Sequence, residues 1–597
     1  MNSANLVSHS ESSSRSREWL SHNRAPWLAA LILLATCFAF ARTPRFNFAY
    51  DDFVIIVLNA RVHSVHFLKS YFTQEVWAGA RAGAGNLYRP FFMTWLLANY
   101  GMFGLSPAGW HVTTVLIHLL ATLLVYLVAS KLLPGNPIPA LVAMAIFGLH
   151  PIHVEAVAWV SGVTEPFASC FFLGSFLCFI KFQEQTSSRF AWLTGSLLLF
   201  AGALCSKETT IVLPAVIAWY SFCFIRRKNN ASTQTWIKST ISLLVPYAIV
   251  VLVYLAVRNS VLHGFAHRMS AIPLGTSLPA VPWAIYFYVS QLLIPAGLGL
   301  FYDVDFGNML SIAGLLLPCL VLAALVSGVI WWTRKSKSYL VLFLSGWFVL
   351  TLMPSLGVFL MMSRYEGVHD RYLYLPSVAF AILVGYSWGK IFPSARLTLQ
   401  ATLGAVLLAG LIFSTRRQTE YWKSDLTLFT RACAVAPNNA LAKLNLSAEL
   451  VRRNDFSEGL KLAQEVIQQD PTMGTSFSLA GKCAFFLGDY ADAESCYRRS
   501  LALEAPEAGD LYFLALSEIK LGQYAEGLQV LRDGLSAWPA SPLYHYAMGL
   551  AYAGRRDWPD AAEQYRIEIA EHPESSLAGP ALADAEAHLK APDGARK

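Results

Sequence analysis

Two adjacent aspartates, Asp51 and Asp52, follow the first membrane-length apolar stretch, Trp27 to Ala41, by about ten residues. Carboxylates in this position meet the membrane surface just after the chain has crossed it, and an acidic pair raises the pKa of one member. A carboxylate with a raised pKa can accept a proton from a hydroxyl beside a lipid head group, as a general base does. Asp51 is therefore the first candidate base and Asp52 the second; the alternative is that both cap the next helix.

Three arginines are candidates for binding a phosphate. Arg89 stands in Tyr88-Arg89-Pro90, and Arg364 and Arg371 belong to the densest polar cluster of the apolar half of the chain. A guanidinium gives bidentate contacts to phosphoryl oxygens. The alternative for Arg89 is that its long side chain simply reaches the lipid head groups.

A histidine-rich turn, His150 to Glu155, lies at a predicted membrane boundary. The spacing of His150, His153 and Glu155 matches no metal motif, so we predict no metal here. We also predict that the protein uses no cofactor. Hydrogen bonding to a phosphate or sugar is one interpretation, and structural packing is the other. Ionisable residues at this depth are candidates for function. The further candidates for binding sugar or acceptor are Glu165, Asp303 and Asp370.

Composition indicates a membrane protein with several spans. Of 597 residues, 55% are hydrophobic, and the mean hydropathy is +0.44, which is too apolar for a soluble chain of this length. The part before residue 416 carries a net charge of +13, and residues 416–597 carry −6. No basic stripe stands clear of the membrane loops, so nucleic-acid binding is excluded as a function class.

The apolar runs predict about eleven transmembrane helices in a membrane domain spanning residues 26–415. Residues 1–25 are Ser-rich and predicted to be disordered. Residues 281–300 contain two prolines and two glycines, which favours an interfacial or re-entrant segment. The first apolar stretch also ends in Ala39-Phe40-Ala41, which fits a signal-peptide cleavage site, but the long polar segment before it favours a retained anchor. The predicted spans after it are 109–131, 137–149, 163–183, 190–206, 208–225, 239–258, 311–333, 339–361, 371–392 and 397–415.

The basic residues predict the orientation. With the N-terminus in the cytoplasm, the short turns that hold most Lys and Arg residues fall inside, as the positive-inside rule requires. Every cluster of polar residues that could carry out chemistry then falls on the opposite face of the membrane, together with the C-terminal region. We therefore predict a multi-pass protein whose active site and C-terminal domain face the periplasm, the cell exterior or an organelle lumen.

The C-terminal third repeats every 34 residues. Trp422, Phe456, Tyr490, Tyr524 and Trp558 keep this spacing, and a small residue follows three positions after each of the last four. This pattern is typical of tetratricopeptide (TPR) repeats, whose stacked helix pairs usually hold a peptide or protein. We predict a linker and half repeat at 416–437, four repeats at 438–573, and a C-terminal helix and tail at 574–597. The predicted fold class is all-α: a polytopic helix bundle followed by a TPR solenoid.

Six segments of the membrane part stand in an order that is specific. They are Tyr50-Asp51-Asp52, Tyr88-Arg89-Pro90, His150-Pro151-Ile152-His153-Val154-Glu155-Ala156-Val157-Ala158-Trp159, Ser206-Lys207-Glu208, Met353-Pro354-Ser355-Leu356-Gly357 and Asp370-Arg371-Tyr372-Leu373-Tyr374-Leu375-Pro376-Ser377. Together with the repeats, these segments resemble the transmembrane and tetratricopeptide-repeat-containing O-mannosyltransferase family and its bacterial relatives. The resemblance implies a GT-C glycosyltransferase fold, a polyprenyl-phosphate sugar donor such as polyprenyl-phosphate mannose, and a Ser or Thr hydroxyl acceptor on a protein bound by the TPR domain.

The resemblance implies an inverting mechanism without a metal, in which Asp51 deprotonates the acceptor while Arg89 and Arg371 steady the leaving phosphate. One departure matters: Val163 stands where the family often has an arginine, so either Arg89 or Arg371 takes over that role or the donor differs. Two alternatives stay open. The same scaffold can transfer sugar to a glycan or lipid, or the protein can be a non-enzymatic membrane scaffold that recruits partners through its TPR array.

Overall fold

The computed structural model describes residues 24–78, 85–185, 187–228, 232–264, 272–336, 338–361, 365–392 and 397–590. The chain divides into two compact units, residues 1–436 and 437–597. The described residues are helical throughout the regular elements of both units, which confirms the predicted all-α class. Most of the predicted N-terminal segment, residues 1–23, lies outside the described residues.

Nine helices in the described part of unit 1 are long and apolar enough to cross a membrane, so the protein is a multi-pass membrane protein. Each begins and ends within about four residues of a predicted span, with two exceptions: the helix predicted to begin at 239 starts at Thr233, and the helix predicted to end at 415 ends at Trp422. These helices are themselves apolar over most of their length, as expected for segments whose solvent is lipid. Their bounds are Arg24–Arg45, Pro107–Leu132, Ser161–Glu184, Arg189–Ser206, Glu208–Ile225, Thr233–Leu262, Ile312–Ser336, Leu340–Met361 and Thr398–Trp422.

Two further predicted spans are short helices that pack on each other. Ile138–Leu149 continues into Pro151–Ala158 with a 45° bend, and Ser377–Ile391 has 15 residues. Gly385 lies so close to the Pro139 carbonyl oxygen that a Cβ atom there would clash with it. The absence of a side chain therefore lets these two helices approach closely.

The segment predicted to be interfacial is the 13-residue helix Val281–Leu293, which is not among the candidate spans. Further short helical segments of unit 1 lie between the spans in the sequence or follow the last one. Their bounds are Phe53–Val57, Ala60–His63, Val65–Phe72, Pro90–Phe103, Leu274–Ser277, Phe306–Met309, Asp370–Leu373 and Asp425–Val435.

Unit 2 is a row of helix pairs, as the 34-residue period predicts. Four pairs are followed by one further helix, and each small residue three positions after the aromatic is fully or nearly buried. A Cβ atom at Gly527 would lie 2.9 Å from Ile519 and 3.1 Å from the Ala515 carbonyl oxygen, so glycine permits the close packing within this pair. The helices are Ala440–Arg452, Phe456–Gln469, Gly474–Leu487, Tyr490–Leu503, Ala508–Lys520, Tyr524–Ala537, Tyr544–Gly554, Trp558–Glu571 and Ala578–Lys590.

The turn inside each pair repeats in detail. The residue before the turn's end has a positive φ in all four repeats: Asn454 (62°), Gly488 (88°), Gly522 (81°) and Arg556 (65°). The second helix of each pair begins two positions after this residue. Where the residue in between is an aspartate, its side chain caps that helix. The capping aspartates are Asp455, Asp489 and Asp557.

Candidate active site

The acidic turn at residues 49–52 is closed by Asp52. Its Oδ1 accepts hydrogen bonds from the Ser161 amide (2.8 Å) and the Ser161 hydroxyl (2.5 Å), and its Oδ2 accepts one from the Ala49 amide (3.1 Å). The side chain is fully buried. Burial raises the pKa of the Asp52 carboxyl to about 7, although the hydrogen bonds from Ser161 and Ala49 favour the ionised form.

This arrangement separates the two aspartates. Asp52 has a pKa that suits a base, but burial and three hydrogen bonds keep its oxygens occupied inside the protein. Asp51 is half-buried at the rim of the same turn. A general base must reach the hydroxyl that it deprotonates, so the geometry favours Asp51 for that role and gives Asp52 the role of fixing the turn.

Arg371 is held by Glu155. The Arg371 amide donates to Glu155 Oε2 (2.8 Å), and its guanidinium forms an ion pair with the same carboxylate. The guanidinium also lies over the indole of Trp159, 5.3 Å from the ring centroid. Because a guanidinium has five N–H donors, an ion pair through Nη1 leaves it the capacity to bind a phosphate oxygen as well.

Trp159 joins Arg371 to the acidic turn. The ring of Tyr50, the residue before Asp51, lies 5.9 Å from the Trp159 ring on another side. The Trp159 Nε1 atom is buried and has no hydrogen-bond partner among the residues that the structure describes. Buried donors are nearly always paired, so this atom is a candidate contact for a ligand oxygen.

Two more ion pairs surround this centre. Arg89 donates to both oxygens of Glu208 through Nε (2.9 Å) and Nη2 (2.6 Å), and Lys207 forms a buried ion pair with Glu165. The Lys207 ammonium also lies 5.5 Å from the ring centroid of Tyr372. Carboxylates thus neutralise both cations, and the fork of Arg89 is more completely engaged than that of Arg371.

A small cavity lies beside the Lys207 pair. Glu165 and Tyr372 line it together with several hydroxyl side chains. Its volume of about 10 Å³ is close to the least that holds one water molecule, so the cavity does not admit a sugar ring. The hydroxyl residues of the lining are Ser169, Thr209, Thr210, Thr351 and Ser355.

Asp370 is buried and accepts a 2.5 Å hydrogen bond from the Tyr302 hydroxyl. Burial and the nearby Glu155 carboxylate raise the pKa of Asp370 well above its ordinary value. Its neighbour His369 is buried too, and burial together with the Arg371 charge lowers the pKa of that imidazole. The hydrogen bond between Tyr302 and Asp370 fixes the loop at residues 298–302 to the segment that carries Arg371.

The two histidines of the turn at 150–153 have structural contacts. His150 Nε2 lies 3.0 Å from the Leu292 carbonyl oxygen, and its Nδ1 accepts from the Ile152 amide. His153 contacts the Phe147 carbonyl oxygen (2.7 Å) and the Ser377 hydroxyl (2.9 Å). These bonds favour the packing interpretation for both residues.

Asp303 is half-buried in the loop that follows Tyr302, and the neighbouring Asp305 caps the helix Phe306–Met309. Arg364, the third phosphate candidate, lies outside the described residues.

Several functional candidates were not predicted as site residues. Lys207 and Glu208 carry a signal that sequence reasoning can use, because charges between two apolar spans need buried partners. Ser161, Trp159 and Tyr302 carry no such signal, since their roles depend on partners that are 68 to 109 residues distant or on ring contacts.

The sequence is similar, at low identity, to proteins described as protein O-mannosyl-transferases. The chain is 25% identical over 567 residues to Protein O-mannosyl-transferase Tmtc3 of Drosophila melanogaster, with 82% of this chain and 60% of that protein covered. It is 24% identical over 542 residues to Protein O-mannosyl-transferase TMTC3 of Mus musculus, covering 84% of this chain and 58% of that protein. The chain is a distant homologue of the TPR-containing protein O-mannosyltransferases.

The match to these O-mannosyltransferases covers most of the present chain, but the chain spans only about 60% of the length of the curated relatives that it matches first. A family model described as tetratricopeptide repeat matches residues 479–543 and 546–597. Among solved structures, ArnT from Cupriavidus metallidurans bound to undecaprenyl phosphate is similar with a TM-score of 0.35 and 14% identity, covering 81% of each chain.

Proposed function

We propose that this protein transfers a sugar, mannose in the first instance, from a polyprenyl-phosphate donor to Ser or Thr hydroxyls of exported proteins. The distant homology to protein O-mannosyltransferases supports the reaction class. The observation that carries the assignment to this site is the shared contact at Trp159, whose ring touches both Tyr50, next to Asp51, and the guanidinium of Arg371. A candidate base and a candidate phosphate ligand thus flank one indole.

The proposed step is a single displacement. The acceptor hydroxyl gives its proton to Asp51 while its oxygen forms a bond to the anomeric carbon of the donor. The bond from that carbon to the phosphate oxygen breaks, and the polyprenyl phosphate leaves with the electron pair. One base and one displacement predict inversion at the anomeric carbon.

Arg371 is the first candidate for stabilising the leaving phosphate, followed by Arg89. Charge on the leaving oxygen develops during the reaction, and a preorganised guanidinium in a half-buried site stabilises it without reorganisation. The ion pairs with Glu155 and Glu208 hold both arginines in place before a donor arrives. Glu165, at the edge of the small hydroxyl-lined cavity, is the candidate contact for a sugar hydroxyl.

The proposed orientation puts the site and the TPR unit outside the cytoplasm. Ion pairs agree with the division of the turns into two sides, because Lys131 pairs with Glu184, and both lie in turns predicted to be inside. Arg89 and Glu208, in contrast, are both predicted to be outside. Each of these two ion pairs therefore joins residues that are predicted to lie on the same side of the membrane.

The test uses full-length protein in liposomes with polyprenyl-phosphate mannose and a Ser/Thr-rich acceptor peptide. We expect Asp51→Asn to lower transfer by about 10²–10⁴-fold. The matched control Asp305→Asn changes an exposed aspartate of another loop and should leave transfer unchanged. Transfer to a glycan or lipid that depends on Asp51 would favour the second acceptor class, and no transfer to any acceptor would favour a scaffold.

A further inference from the structure

Tyr50 has an unusual backbone conformation next to the candidate base. Its φ is +56°, in the left-handed region that side chains with a bulky Cβ substituent rarely adopt. Such a residue keeps this conformation only where surrounding contacts impose it, and such positions cluster at functional sites. The conformation of Tyr50 sets the direction in which the chain presents Asp51.

Two of the contacts that hold Tyr50 come from the helix Asp425–Val435. The Tyr50 amide donates a 2.8 Å hydrogen bond to Asp425 Oδ1. The Tyr50 ring packs edge-on against Phe429, with centroids 6.0 Å apart. Just before the helix, the Lys423 carbonyl accepts from the Asn47 amide (3.2 Å), so the whole turn is bound from this side.

Asp425 is not needed to cap its own helix. Ser424 is the N-cap, and it forms a reciprocal capping box with Thr427. The carboxylate of Asp425 instead reaches a residue 375 positions earlier in the chain. A carboxylate that accepts from the amide of a residue with a positive φ is placed to hold that backbone conformation.

The same helix also contacts the phosphate side of the site. Arg431 Nε donates to the Leu298 carbonyl oxygen (3.2 Å), at the start of the loop whose Tyr302 binds Asp370. One short helix therefore holds both the turn of Asp51 and the loop beside Arg371. It ends at Val435, directly before the chain continues into unit 2 at Pro437.

We propose that Asp425 is a positioning residue of the transferase: it holds Tyr50 in the left-handed conformation and thereby aims the Asp51 carboxylate. This inference rests on the proposed function for its kinetic part. Its structural part, the dependence of the Tyr50 backbone on the Asp425 carboxylate oxygen, is measurable without any sugar transfer.

The experiment compares full-length wild type, Asp425→Ala, Asp425→Asn and Thr427→Val in detergent micelles. Amide hydrogen exchange at Tyr50 is measured together with kcat, the KM for donor, and polyprenyl-phosphate binding. In Asp425→Ala we expect Tyr50 exchange to rise by about tenfold or more and kcat to fall by about 10–100-fold, with phosphate binding unchanged.

The Asn variant keeps an acceptor oxygen, so we expect it to retain both values within about threefold. Thr427→Val weakens the same helix at its cap without touching Tyr50, and it should leave Tyr50 exchange and kcat near wild type. Unchanged Tyr50 exchange in Asp425→Ala overturns the proposal, as does an Asn variant as impaired as the Ala variant. If wild type transfers no sugar while the exchange results hold, the proposed function fails and the positioning contact stands.

Discussion

Asp52 and Ser161 are joined by two hydrogen bonds, one from the Ser161 hydroxyl at 2.5 Å and one from its amide at 2.8 Å, although 109 residues separate them. Ser161 begins a membrane-spanning helix, so the bonds fix the acidic turn to a rigid element of the bundle. Sites built on rigid elements hold their geometry better than sites on free loops. The second aspartate of the pair thus anchors the turn that presents the first.

Ser161→Ala should destabilise this anchor. The substitution removes the shorter hydrogen bond and leaves the buried Asp52 carboxylate with fewer donors, which costs about 1–3 kcal/mol of unfolding free energy. We expect a lower apparent melting temperature and reduced sugar transfer. Ser64→Ala, which removes an exposed cap of a 3₁₀ helix, is the control and should change neither much.

The ionisation of Asp52 predicts a pH dependence of stability. Its pKa is about 7 in the folded protein and 3.8 ordinarily. A carboxyl with a raised pKa contributes stability that is complete below its ordinary value and is lost as the pH rises through about 7. Between about pH 4 and 7, the melting temperature of wild type should therefore fall more steeply than that of Asp52→Asn. Parallel pH profiles of the two proteins would contradict this assignment.

The arginines should not tolerate replacement equally. Arg371→Lys keeps the charge but loses the planar fork, and we expect it to weaken polyprenyl-phosphate binding by about 10–100-fold. Arg89, whose fork is engaged by Glu208, should lose about tenfold or less in Arg89→Lys. Isothermal binding measurements on the full chain decide the order, and a larger loss at Arg89 would reverse the ranking.

Arg556→Gly should stabilise the last repeat. Arg556 has φ +65° at the position where the second and third repeats carry glycine. Glycine avoids the strain of the left-handed conformation, about 1–2 kcal/mol, but it makes the unfolded chain more flexible, which offsets part of that gain. We therefore expect the free energy of unfolding to rise by about 0.5–1 kcal/mol. Arg555→Gly is the matched control: its φ is −82°, and glycine there should destabilise. Thermal and chemical unfolding of both variants provides the comparison.

The sequence predicted the helices well because their signals are local. The run at 109–131 became Pro107–Leu132, and the 34-residue period placed the second helices of the repeats at Phe456, Tyr490, Tyr524 and Trp558. Hydropathy and short periods need no knowledge of distant partners. The predicted crossing at 371–392 is the exception, since it corresponds to the shorter helix Ser377–Ile391, whereas the short run at 137–149 became Ile138–Leu149.

The pairing inside the site could not be predicted in the same way. Arg89 and Glu208 are 119 residues apart, and Arg371 and Glu155 are 216 apart, so nothing in their local sequence indicates the match. For the same reason, one sequence could not distinguish Asp51 from Asp52: the distinction depends on Ser161. Which arginine binds the donor, and whether the acceptor is a protein, stay predictions for the experiments above.

The helices Ile138–Leu149 and Ser377–Ile391 are shorter than a bilayer is thick. At a rise of 1.5 Å per residue they measure about 18 and 22 Å, against roughly 30 Å of hydrocarbon. Nine of the twelve residues of Ile138–Leu149 are buried, so neighbouring protein and not lipid covers most of this helix. A helix that the bundle itself encloses can be shorter than the bilayer without any lipid having to adapt to it.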